Sequence, residues 1–352
     1  MTDIHRATRA YEAWLRQHVA IVAPDLRRKH ERMAESPFVF LRGTFYRWVE
    51  IWLQVCRKLA GAPAVNAIGD IHVENFGTWR DAEGRLVWGV NDVDEACRLP
   101  YTQDLIRLAT SAFLAIGAEH FTLPFDEACV AILDGYRTSL ARGGNPIVLA
   151  ERRRWLRAIA MNDLRDPQMF WARLSAHPTA HHAPVQRLLE SSLPRASRAT
   201  RIVRRIAGVG SLGRPRFVAI TDCGGAFVAR EAKAWAPSAA DRHQKRPEAA
   251  TRLLERAVRI PDPFFVFHRD WIVRRLAPDC TRIELTELPK RRDEARLLRA
   301  MGWEVANLHL GSPTRDVRSH LTGLRSRWLE RAALKMSAEV VKDWRAWRSR
   351  AE

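Results

Sequence analysis

Positions suited to a buried face recur at helical spacing near the start of the chain. Tyr11, Trp14, Leu15, His18, Val19 and Val22 fall on one side, which predicts a helix over about 5–22 that Pro24 ends. A second helix is expected over 44–60, entered after Ser36-Pro37 and closed by Gly61-Ala62-Pro63. The period then shortens. Ala64–Ile68 and Leu86–Val90 read as short strands bracketing a polar loop, with a turn at Asp81-Ala82-Glu83-Gly84. Residues 103–118 and 124–142 return to helix, and 143–200 is rich in Arg and His with helical patches.

A second change of character comes at about residue 201. Ile202–Ile206 reads as a strand, Gly208-Val209-Gly210-Ser211-Leu212-Gly213 as a glycine loop, and Phe217–Ile220 as a second strand. Asp222-Cys223-Gly224-Gly225 is a tight turn into a third strand, Ala226–Lys233. A helix from Pro247 to Val258, strands at Phe264–Phe267 and Trp271–Leu276, and a helix marked by Leu297, Met301, Val305 and Leu308 follow. The C-terminal stretch through Leu321, Leu324, Trp328, Val340, Trp344 and Trp347 is also helical in pattern, and no internal repeat interrupts it.

The densest run of chemistry-bearing residues is Gly69-Asp70-Ile71-His72-Val73-Glu74-Asn75, followed by a strand ending in Asn91-Asp92-Val93-Asp94-Glu95. Phosphoryl transfer needs a carboxylate to orient or deprotonate an acceptor hydroxyl, together with oxygen ligands for the magnesium that accompanies a triphosphate. An Asp with an Asn five positions on, and a later strand-end Asp, supply such a set. Glycines at 208, 210 and 213 let backbone N–H groups approach phosphate oxygens closely, and Ser211 adds a hydroxyl. The matching cation is expected one strand later, at Lys233 or Arg230, which point to opposite faces; Lys233 is preferred, with Glu248 or Glu255 of the next helix as its partner.

Composition adds a bias about partners. The 352 residues hold 58 Lys+Arg against 40 Asp+Glu, a formal charge of +18, which favours phosphorylated ligands, nucleic acid or other polyanions. Five cysteines without a CxxC pair argue against a zinc site and a disulfide framework, so a cytoplasmic home is expected. The charged start of the chain and the lack of a long apolar run predict a soluble protein without membrane contact.

Gly69-Asp70-x-His72-x-x-Asn75, the strand-end Asp92 and Tyr101-Thr102-Gln103-Asp104-Leu105 resemble three motifs of aminoglycoside and choline-type phosphotransferases, members of the protein-kinase-like superfamily. The resemblance implies Asp70 as catalytic base, Asn75 and Asp92 as metal ligands, and Asp104 as a carboxylate bracing the catalytic loop. It implies ATP and Mg2+ as cofactors. Asp94 reads as either a further metal ligand or a capping carboxylate, His72 as a buttress of the loop, and Arg42 as either a phosphate contact or half of a buried ion pair. The chain as a whole is similar to the uncharacterised bacterial domain-of-unknown-function family 2252, through Ser36-Pro37-Phe38-x-Phe40-x-Arg42-Gly43, the Asp70 and Asp92 runs, and Gly210-Ser211-x-Gly213.

In kinases the glycine loop precedes the catalytic loop, whereas here it follows. The expected fold is therefore α+β: a two-lobed, protein-kinase-like fold with circularly permuted lobe order and a helix-rich larger lobe. Residues 1–200 would carry the catalytic loop and metal site, 201–290 the sheet with the glycine loop, and 291–352 the helical completion of the larger lobe. A helix at 292–310 would take the place of the one that normally runs into the catalytic loop. Only about eleven residues separate Asp92 from Asp104, too few for a long activation segment, so a small-molecule acceptor is expected. Two other classes fit the same residues: a metal-dependent phosphohydrolase or nuclease using Asp70, His72, Asp92 and Asp94, and a non-catalytic protein that binds nucleotide or polyanion.

Overall fold

The computed structural model describes residues 3–149, 153–161, 166–195, 200–280, 282–283, 285 and 293–349. It opens with helices α1 (Ile4–Leu15), α2 (Ala23–Glu35), α3 (Pro37–Gly43), α4 (Phe45–Val55) and α5 (Arg57–Ala60). Pro24 does not end the first helix. That helix stops at Leu15, and Pro24 stands in the first turn of α2, where its missing N–H has no partner to lose. Ser36 likewise starts an element: its hydroxyl accepts from Val39 N–H at 3.2 Å and caps α3. The helix expected over 44–60 is divided at Cys56.

Next come β1 (Ala64–Ala67), β2 (Phe76–Arg80), β3 (Leu86–Val90) and β4 (Cys97–Pro100), then helices α6 (Tyr101–Gly117) and α7 (Phe125–Arg142) and the short β5 (Ile147–Val148). β1 pairs with β4, while β2, β3 and β5 form a separate antiparallel sheet. Helix α6 buries residues around nearly its whole circumference, as a helix in the centre of a core must. Helices α8 (Arg154–Ala160), α9 (Pro167–Ser175) and α10 (Ala183–Ser191) lead to strands β6 (Arg201–Arg204), β7 (Arg216–Asp222) and β8 (Phe227–Ala234). α11 (Glu248–Arg256), β9 (Val266–His268), β10 (Trp271–Leu276), α12 (Glu294–His309), α13 (Arg315–Gly323) and α14 (Trp328–Arg348) complete the order.

The C-terminal helices return to the N-terminal half. α14 packs on α6, α4 and α3, and α12 lies along α7. This second pairing depends on two glycines. A Cβ on Gly135 would stand 1.9 Å from the Arg299 carbonyl, and one on Gly302 2.0 Å from that of Ile132, so the backbones meet at a distance only glycine permits.

Strands β6 to β10 form one antiparallel sheet in the order β6-β7-β8-β10-β9. Alternation gives it two unlike faces. Ile202, Phe217, Ala219, Ala232 and Val273 pack under Val185 and Leu189 of α10. Val203, Val218, Ile220, Ala229 and Leu276 pack against Leu174 of α9, with Phe170 alongside. That second face changes from apolar to charged along the strands: Arg216, Glu231, Lys233 and Arg274 have the same parity and lie at its inner end. Among the described residues no helix is long and apolar enough to cross a membrane.

Candidate functional site

The catalytic-loop candidates occupy the turn between β1 and β2, and its conformation begins with Gly69. This residue has φ +82°, and a Cβ there would fall 2.3 Å from the Glu95 carbonyl, so a side chain is excluded on both counts. Asp104, wholly buried on α6, accepts from Ile68 N–H at 2.7 Å and Gly69 N–H at 3.1 Å. His309 Nε2 meets the same carboxylate at 3.0 Å, and its Nδ1 lies 2.9 Å from the Tyr136 hydroxyl. The loop thus hangs from a carboxylate that is itself held by α12.

Asp70 follows. It is ion-paired with Arg107, whose side chain is fully buried beneath it, stacked on Phe45 and Trp48, and bonded to the Leu41 carbonyl. Burial raises the Asp70 carboxyl above its ordinary value against the opposing pull of Arg107, and Asp94 and Asp92 add to the rise. The side-chain amide of Asn75 is a latch. Its Nδ2 donates to the carbonyls of Asp70 (3.1 Å) and Asp92 (2.9 Å), and its Oδ1 accepts from Asp92 N–H at 2.9 Å. The loop and the end of β3 are therefore locked in register.

Asp92 is the most open of these carboxylates, with 40% of its side chain exposed. Lys233 Nζ lies 2.8 and 2.9 Å from its two oxygens and 3.0 Å from Asp94 Oδ2. Asp94 also accepts from Arg214 at 2.9 Å; burial would raise its carboxyl, but Lys233 and Arg214 outweigh that and hold it far below the carboxylate range. Glu95 joins Arg214 and Ala239 N–H at the other side, in an anchoring position.

Strand parity puts the two candidate cations on opposite faces. Lys233 faces the carboxylates, whereas Arg230 emerges on the α10 side, bonded to the Ser192 carbonyl and stacked on Phe264. The expected partner of Lys233 is corrected. Glu248 and Glu255 are exposed, and Lys233 pairs with Asp92 and Asp94 instead. The reason is packing: α11 lies against α12, β1 and β4, so its acids are spent on another surface.

The glycine segment forms a one-turn 3-10 helix, Val209–Ser211, preceded by Gly208 (φ +77°) and followed by Gly213 (φ +95°). It rests directly on the loop that carries Asp70. A Cβ on Gly210 would be 3.5 Å from Asp70 Oδ2 and 3.1 Å from the Arg42 carbonyl. Lys29 of α2 donates to the Gly210 carbonyl at 3.2 Å, and Val22 N–H to that of Gly213 at 2.8 Å. Ser211 Oγ accepts from Arg216 at 2.8 Å. Arg42 forms a buried ion pair with Glu74, the second of the two readings given to it. His72 accepts from Glu74 N–H at 3.2 Å, and burial with the charges of Arg42, Arg107 and Arg282 pushes its imidazole well below the usual value, so the ring is neutral.

A cavity of about 450 Å³ joins these parts, reaching from Asp70, Asp92 and the glycine turn to Phe170, Leu174, Ile206 and Leu276. Among the described residues no three His, Cys, Asp or Glu converge to hold a metal by themselves. Mg2+ commonly takes one or two carboxylates and completes its shell with water and phosphate; Asp92, shared with Lys233, and the second lone pair of Asn75 Oδ1 would be its protein ligands here.

Several members of the site were not singled out by sequence patterns. Arg107 stands three residues after Asp104, on the same face of a helix whose only charged residues are these two, and that contrast was the available signal. Glu231 sits two residues before Lys233 on an otherwise small-residue strand, so shared parity pointed to it. Lys29 and Arg214 gave no local signal, because their roles arise from contacts across about 180 and 120 residues.

No curated protein matches the chain, and no solved structure matches it. The family described as "Uncharacterized protein conserved in bacteria (DUF2252)" matches residues 22–201 and, in an overlapping segment, 157–350. With nearly its whole length accounted for by these two segments, the chain belongs to the DUF2252 family.

Proposed function

We propose that this protein is a phosphotransferase that moves the γ-phosphoryl group of ATP to a hydroxyl of a small-molecule acceptor. One observation carries the reading: segments about 140 residues apart meet at one place, with Gly210 against Asp70 in the lining of a single cavity and Lys233 bound to Asp92, which also lines it. The cavity suits a nucleotide because it has two unlike ends. Phe170, Leu174, Ile206 and Leu276 offer an apolar slot for a base, and the glycine turn, Arg216 and Arg274 offer donors for the phosphates, beside Asp92 and the Lys233 bound to it.

The element order supports a kinase-like, circularly permuted arrangement. β6, the glycine turn, β7, a tight turn, β8 with Lys233, α11, β9 and β10 follow the order of a kinase N-lobe, and the catalytic loop comes earlier in the chain. In this reading the sheet of 201–276 is the smaller lobe and the helical body the larger. One departure stands out: the Lys–Glu pair that protein kinases draw from the following helix is replaced by Lys233 with Asp92 and Asp94.

The roles follow from position. Asp70, oriented by Arg107, accepts the proton of the acceptor hydroxyl as its oxygen attacks the γ-phosphorus and the bond to the β,γ-bridging oxygen breaks, releasing ADP. Lys233 and the backbone N–H groups of the glycine turn counter the charge on the phosphoryl oxygens. Asn75 and Asp92 would hold Mg2+, which supplies charge neutralisation to the phosphates when bound.

The competing hydrolase reading uses the carboxylates without the glycine turn, and turnover of Mg-ATP in purified variants separates the two. Gly210→Val adds a branched side chain against the Arg42 carbonyl and Asp70, displacing the turn. A displacement of ~1 Å at a reacting centre costs on the order of 100-fold in rate. The transferase account expects both Gly210→Val and Asp92→Ala to lose activity to that extent. Activity that survives Gly210→Val but not Asp92→Ala would assign the site to hydrolysis.

A further inference from the structure

Glu231 lies at the centre of the charged sheet face and is completely buried. Three guanidinium groups converge on it: Arg205 at 2.5 Å, Arg216 at 2.9 Å and Arg274 at 2.9 Å. Burial would raise the Glu231 carboxyl, but the three arginines together hold it well below its usual value. One carboxylate cannot neutralise three cations. The nearby acids offset only part of the difference: Asp92, Asp94 and Glu95 set three charges against the two of Lys233 and Arg214, so with Glu231 four acids face five cations. Among the described residues that line the cavity, nine Lys and Arg side chains face six Asp and Glu.

The surplus is also placed along a line. Arg216 bonds Ser211 of the glycine turn, and Arg274 bonds the side chain of Asn91, next to Asp92, at 2.9 Å. The trio therefore bridges the glycine turn and the strand end that carries Asp92. Arg216 has only 5% of its surface exposed, so its charge is poorly solvated, and burial plus the neighbouring Arg274 and Arg205 lower its proton affinity despite Glu231. Partly desolvated cations in excess favour an anion that brings several oxygens at once, and guanidinium groups match phosphate oxygens in pairs.

We infer that Arg205, Arg216 and Arg274, held in place by Glu231, form a polyphosphate-binding cradle that takes up the phosphate chain without needing a divalent metal. This deepens the transferase reading, in which the chain belongs to ATP, and leaves magnesium a part in transfer rather than in capture. The same chemistry would accept an inorganic polyphosphate, so the experiment includes both.

The test is calorimetric titration of the full chain in EDTA with sodium tripolyphosphate and, separately, with ATP. Saturable binding is expected in both cases. It should weaken tenfold or more in Arg274→Gln and in Arg205→Gln, whose side chains are each 21% exposed and whose replacement leaves Glu231 two arginines. Arg230→Gln, on the opposite face of the same sheet, should bind as the parent does. Tighter binding of ATP than of tripolyphosphate assigns the cradle to a nucleotide, and equal binding to an inorganic chain; either supports it. Binding that appears only with Mg2+ overturns the inference and leaves the transferase reading standing. Binding in EDTA that neither Arg274→Gln nor Arg205→Gln weakens also overturns it. Tripolyphosphate binding in EDTA by a protein that never turns over ATP would retain the cradle and remove the transferase reading.

Discussion

Asp70→Asn is expected to lower phosphoryl transfer by ~10²–10⁴-fold, the usual contribution of a positioned general base. Nucleotide affinity should change little, because the proposed phosphate contacts are those of the glycine turn and the five-stranded sheet. The variant will also be less stable. Arg107 is fully buried and loses a charged partner, but burial already disfavours the charged carboxylate and the asparagine amide oxygen still accepts from Arg107, so the loss is modest. Turnover must therefore be measured below the melting transition, beside ATP affinity. Full turnover in a folded Asp70→Asn protein would remove Asp70 from the chemistry. The parent's pH profile gives an independent check. A base works when deprotonated, and burial raises the Asp70 carboxyl, so the rate should fall with decreasing pH at a point above the ordinary aspartate value of ~3.9.

The second large effect concerns stability at a distance from any ligand. Asp104→Ala would strand the N–H groups of Ile68 and Gly69 and the His309 imidazole, all without access to water. Unsatisfied buried groups cost ~1–3 kcal/mol each, so a loss of several kcal/mol is expected in urea unfolding. Asp104→Asn keeps one oxygen as an acceptor and should recover part of it. A midpoint unchanged in Asp104→Ala would show that the Asp70 loop does not depend on this anchor.

Local chemistry was legible in the sequence where local rules decide it. Leu86–Val90 and Trp271–Leu276 are strands with the limits the alternation predicts, and the Asp222–Gly225 turn joins β7 to β8 as expected. The opening helices were less legible. Pro24 and Ser36 carry the same residue signals whether they end one helix or begin another, and here they begin one. In the site, Asp70, Asn75, Asp92 and Asp104 lie within 35 positions, so spacing brought them into view. Arg216, Glu231 and Arg274 form a cluster only when strands fold over one another, and the partner of Lys233 was misread because the packing direction of α11 is not written in its own residues.

A crystal structure with Mg2+ and a non-hydrolysable ATP analogue tests the central claim most directly. The account predicts the base beside Phe170 and Leu276, the phosphate chain along Arg216, Lys233 and the glycine turn, and the terminal phosphorus facing Asp70 with room for an acceptor oxygen at ~3–3.5 Å. A nucleotide bound elsewhere, or with its terminal phosphate turned away from Asp70, would contradict it.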